Sequence, residues 1–113
     1  MPKDDAYVLD MLRAASLARQ FAEGCTEAQF LDDVKTQSAV LHQLTMLGEA
    51  VRRVSQEFRD RHPQVPWGEI AGLRNRIVHE YDEIDLDRVW EVIRRDLPRL
   101  IPALEAIAHP EPS

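Results

Sequence analysis

The chain has 113 residues, 44% of them hydrophobic and 30% charged, and a formal net charge of −6, which fits one domain over 1–113 with an ordered core from about residue 4 to 108. That acidic balance argues against a non-specific nucleic-acid binder, whose usual footprint is a basic surface, although net charge averages over all faces. With no apolar run near the roughly 18 residues of a membrane span, no hydrophobic leader after Met1-Pro2-Lys3-Asp4-Asp5 and a single cysteine, Cys25, a cytoplasmic protein without internal disulfides is expected.

Residues from about Asp4 to Glu23 read as an amphipathic helix. Tyr7, Val8, Met11, Leu12, Ala15, Ala18 and Ala22 recur at steps of three and four, and Gly24 stops the run. Thr26 is placed to cap the next helix, with Gln29 completing a capping box. From there a long helical region is expected to reach about Arg61, its stripe formed by Phe30, Val34, Leu41, Leu44, Gly48, Val51, Val54 and Phe58. Gln37 and Ser38 interrupt that stripe. His62-Pro63 ends the region, because the residue before proline is pushed out of helical conformation.

Pro66 can open a third helix, where its missing N–H costs nothing, and that helix runs from roughly Trp67 to His79. Asp82-Glu83-Ile84-Asp85 forms the connection, and Asp85 caps a fourth helix with Leu86, Val89, Trp90, Ile93, Leu97, Leu100, Ile101, Leu104 and Ile107 inward. Pro98 and Pro102 fall inside this pattern and should kink it or split it. The tail His109-Pro110-Glu111-Pro112-Ser113 is expected to fray. No alternating strand pattern, repeat or low-complexity tract occurs, so the expectation is all-α: an antiparallel four- to five-helix bundle.

The chemistry concentrates in Gly72-Leu73-Arg74-Asn75-Arg76-Ile77-Val78-His79-Glu80-Tyr81. Arginine offers a fixed charge and a planar fork of donors suited to phosphate, and histidine moves protons near neutral pH. Asn75 and His79 lie about 40° apart round a helix and share a face, whereas Arg74 and His79 lie about 140° apart. One helix cannot easily aim both at one phosphate. A symmetric homodimer with a composite site resolves the mismatch. Each residue also has a plainer reading: Arg74 paired with Glu69, Glu80 or Asp82, His79 facing the helix dipole, Tyr81 packed, Asn75 solvated. Glu49, beside Gly48, either positions His79 or an arginine or is a solvated carboxylate. Arg76 makes surface or interface contacts. Trp67 and Trp90 read as core. Asp82, Glu83, Asp85 and Asp87 read as helix-start carboxylates, and His42, His62 and His109 lack paired ligands, so no metal site is assigned.

Arg74, four residues, His79, one residue, Tyr81 resembles the signature of HepT-like toxins in the HEPN superfamily of helical ribonucleases, with Asn75 as the polar residue after the arginine. Leu47-Gly48-Glu49-Ala50, Pro66-Trp67, Ile84-Asp85-Leu86, Val89-Trp90 and Asp96-Leu97-Pro98 extend the likeness over residues 5 to 108. The resemblance implies a HEPN-like helical homodimer that cleaves RNA, with Arg74 and His79 catalytic, Asn75 supporting, and no cofactor of its own; to these the reading of the residues adds Glu49 as a supporting side chain and Arg76 as one that assists RNA binding. It also implies a partner similar to the minimal nucleotidyltransferase MntA, which uses ATP to place AMP on Tyr81 in a type VII toxin–antitoxin system. The alternative is a non-catalytic helical subunit that binds the nucleotidyltransferase and presents its substrate.

Overall fold

The structure, a computed structural model, describes residues 2–110. Among the described residues seven α-helices follow in chain order: α1 (Pro2–Phe21), α2 (Glu27–Leu31), α3 (Val34–Arg53), α4 (Gln56–Arg61), α5 (Trp67–His79), α6 (Leu86–Glu91) and α7 (Leu97–Ala108). A 3-10 turn at Tyr81–Glu83 precedes α6, and no strand occurs among the described residues. The extents are 45 × 29 × 18 Å. Since one helix with its side chains is about 10–12 Å across, the thin direction holds two helices at most.

Local chemistry sets the boundaries. Gly24 takes a φ of 83° and turns the chain out of α1 at no Cβ cost. The capping box forms as expected: Gln29 N–H donates to Thr26 Oγ1 and Thr26 N–H to Gln29 Oε1. The single long region expected up to Arg61 is instead three helices. Asp33 interrupts it by accepting from the Thr36 N–H and hydroxyl, and Ser55 does so by accepting from Phe58 N–H. Short polar side chains at both positions compete with the continuing helix and win. Val34, placed in the apolar stripe by its spacing, is 71% exposed because it sits just past the first break.

Asp4 locks the second joint in place. It is buried, and its carboxylate accepts from the Ser55 N–H and hydroxyl, each at 2.8 Å. The start of α1 therefore meets the end of α3, so the two helices run antiparallel. Arg59 closes the same joint by donating to the Val51 and Val54 carbonyls at the end of α3.

The core is drawn from Val8, Met11, Ala15 and Ala18 of α1, Val40, Leu44 and Val51 of α3, and Val89, Leu97 and Leu104 of the last helical stretch. Gln37, expected as an interruption, is buried and donates to the Phe30 carbonyl at 2.9 Å. The last stretch does not split at its prolines. It stays helical from Leu86 to Ala108 through a π-turn at Val92–Asp96, which ends two residues before Pro98. That widening accommodates a residue with no N–H to give. α1 packs along α3, α3 along α5, and α1 along α7. Arg74 is carried at this α3–α5 contact. The part of the expected frayed tail at 111–113 lies outside the described residues.

Candidate active site

Arg74 faces α3, and its contacts there define the site. Its Nε donates to Glu49 Oε1 at 2.8 Å, its Nη2 donates to the same oxygen, and its Nη1 donates to Asn75 Oδ1 at 3.0 Å. The partner is Glu49 of the neighbouring helix, not Glu69, Glu80 or Asp82. Arg52 Nη1 stands 4.0 Å from the same carboxylate. The Arg74 side chain is 14% exposed and that of Glu49 31% exposed, so the pair sits in a partly sheltered recess open at one side.

The recess exists because Gly48 has no side chain. A Cβ there would stand 2.1 Å from Arg74 Cβ and 2.6 Å from its Cγ, too close to exist without moving a helix. Glycine at 48 lets the helices approach until the next residue, Glu49, meets the guanidinium. The stripe pattern places Gly48 in the interface, as found, but carries no sign of how close the arginine comes.

The remaining residues of the motif are differently placed. His79 is the last residue of α5 and is exposed, with no hydrogen bond or ion pair to Arg74 among the described residues. Tyr81, in the 3-10 turn beyond it, is 54% exposed. Asn75 contacts Arg74, although spacing alone put it on the face of His79. Arg76 turns toward a cavity of about 420 Å³ between α5 and the α6–α7 stretch, shared with Arg88, Arg99, Leu73, Glu69 and Asp96. The chain thus joins Arg74, Glu49 and Asn75 and leaves His79, Arg76 and Tyr81 outside that group.

Asp85 serves the scaffold: it accepts from the Asp87 and Arg88 N–H groups as the α6 cap, and no group of three or more His, Cys, Asp or Glu side chains gathers as a metal-binding cluster among the described residues. Trp67 is buried with its indole N–H given to the His62 carbonyl, and Trp90 packs on Phe30 with ring centroids 5.4 Å apart. Trp67 belongs to the core, and Trp90 is half-buried against it.

The sequence profile of the ribonuclease HepT-like family matches residues 11–107. The chain belongs to the HepT-like ribonuclease family. As a HepT-like chain it is of the endoribonuclease class, built on an all-helical HEPN-like bundle. A Methanocaldococcus jannaschii protein named as an RNase is 36% identical over 109 residues, covering 95% of this chain and 90% of the relative. The probable ribonuclease HepT of Thermococcus cleftensis is 34% identical over 94 residues, covering 83% and 86%. A Caldanaerobacter subterraneus protein named as an RNase is 31% identical over 105 residues, covering 93% and 94%. No solved structure matches this HepT-like chain.

Proposed function

We propose that this HepT-like chain is a metal-independent endoribonuclease toxin that works as a symmetric homodimer. The Arg74 anchorage carries the reading: a phosphate-binding fork held in a sheltered recess, on the same helix that ends in an exposed imidazole. Family membership supports RNA as the substrate class.

In this scheme His79 takes the proton of a ribose 2′-hydroxyl. The freed oxygen bonds to the adjacent phosphorus, and the bond from phosphorus to the 5′-oxygen breaks. The leaving oxygen takes a proton from the second protomer's histidine or from water. The products are a 2′,3′-cyclic phosphate and a 5′-hydroxyl. Arg74 neutralises the non-bridging oxygens as charge builds on them, a term often larger than general base catalysis. The separation of Arg74 and His79 round α5, about 140° at helical pitch, favours a site assembled from both protomers. Arg76, with Arg88 and Arg99 in the neighbouring cavity, would hold flanking phosphates.

Silencing falls to an MntA-like nucleotidyltransferase, the antitoxin of a type VII pair. It would transfer AMP from ATP to the Tyr81 hydroxyl, releasing pyrophosphate. The exposure of Tyr81 supports this part of the reading, and the added phosphate would compete with substrate for the arginine.

The test is a ribonuclease assay on purified protein with His79→Ala and Arg74→Ala as controls. Loss of cleavage in both variants, with the dimer intact, is the expected result. Cleavage that persists in both would sink the assignment, as would cutting of a matched DNA, which lacks the attacking hydroxyl.

A further inference from the structure

Arginine has five N–H donors, one on Nε and two on each terminal nitrogen. Among the described residues Arg74 spends three of them, two on Glu49 and one on Asn75, which leaves one N–H on each terminal nitrogen. Glu49 covers the side shared by Nε and Nη2. What is left for a second anion is one N–H on each terminal nitrogen, the pair of nitrogens that phosphate oxygens can engage in bidentate fashion. Gly48, the residue before Glu49, lies close against the Arg74 stem.

We propose that Glu49 is the positioning residue of the reaction. Its carboxylate fixes the plane of the Arg74 guanidinium and presents the remaining terminal N–H groups to the scissile phosphate. This rests on the reading that Arg74 binds that phosphate. Two roles compete with it. A purely structural ion pair would alter stability and leave turnover alone, and an inhibitory latch would restrain the arginine until substrate displaced the carboxylate.

Glu49→Ala, Glu49→Gln and Arg74→Lys separate these roles. The glutamine keeps an acceptor oxygen at the same reach without the charge, and the lysine keeps the charge without the fork. Positioning predicts that Glu49→Ala lowers kcat by roughly 10- to 100-fold, the scale of an ångström-sized misplacement, with KM little changed. Glu49→Gln should recover most of that loss. Glu49→Ala should add little on top of Arg74→Lys, because both remove the same oriented fork.

A second readout is independent of turnover. The Arg74 Nε–H should give a resolved, slowly exchanging proton–nitrogen NMR signal in the wild type and in Glu49→Gln, and lose it in Glu49→Ala. Unchanged kcat in Glu49→Ala, or a persisting Nε–H signal, overturns positioning, and a raised kcat overturns it in favour of a latch. If wild-type protein is inert on RNA while the Nε–H signal behaves as described, the ribonuclease mechanism fails and the anchoring of Arg74 by Glu49 stands.

Discussion

Gly48 and Arg74 meet where α3 crosses α5, with no room for a methyl group between them: a Cβ at position 48 would lie 2.1 Å from that of the arginine. The contact makes the spacing of two helices and the placement of one guanidinium a single structural fact. Gly48→Ala must therefore push α5 away or swing the arginine out of the recess. Overpacking of this kind costs about 1–3 kcal/mol, so the denaturation midpoint should fall accordingly and RNA cleavage should fall with it. A variant within about 0.5 kcal/mol of wild type, the range of ordinary surface changes, would show that the helices are not held this closely.

His79 should behave in the opposite way. It is exposed and has no hydrogen-bond partner among the described residues, so His79→Ala should leave stability within about 0.5 kcal/mol. Cleavage should fall by roughly 10²–10⁴-fold if the imidazole is the general base. Chemical denaturation and a single-turnover assay on the same preparation check both halves. Parallel loss of stability and activity would return His79 to a structural role.

Tyr81→Phe removes only the hydroxyl of a side chain that is 54% exposed. Ribonuclease activity should persist, and AMP transfer by the cognate nucleotidyltransferase should cease, read by intact-protein mass. Equal modification of the phenylalanine variant would place the acceptor elsewhere.

The Asp4–Ser55 lock sets a pH dependence. The Ser55 N–H, then its hydroxyl, hold the Asp4 carboxyl below its ordinary 3.8, and the Thr36 hydroxyl and N–H do the same for Asp33. A carboxyl that binds its proton more weakly when folded stabilises the fold above its unfolded pKa. That contribution drains away as pH falls through the lower, folded value. Asp4→Asn should therefore be less stable at neutral pH and show a shallower loss on acidification, followed by urea midpoints across the acid range. Parallel curves for variant and wild type would remove Asp4 from the acid transition.

Much of this fold is legible along the chain because its signals are local. The α1 stripe, Gly24, the Thr26–Gln29 box, Pro66 before α5 and the Asp85 cap are each written within a few residues. Two breaks in the middle helix are not, since Asp33 and Ser55 look like ordinary polar positions until the competing caps form. The Asp4–Ser55 lock spans 51 residues and has no periodic signature. The motif residues stand out by type and spacing. The Glu49–Arg74 pairing does not, because it depends on how two helices cross and on the room a glycine leaves between them.

That pairing also bears on how a polyanion would find this surface. The charge of Arg74 is already matched by Glu49 of the same chain, whose net charge is −6. Long-range steering and counterion release, the usual sources of fast, salt-sensitive capture, have little to draw on at that recess. Capture at the recess itself would depend on short-range fit, and the salt sensitivity of a bound strand would come from the Arg76, Arg88 and Arg99 cavity beside it.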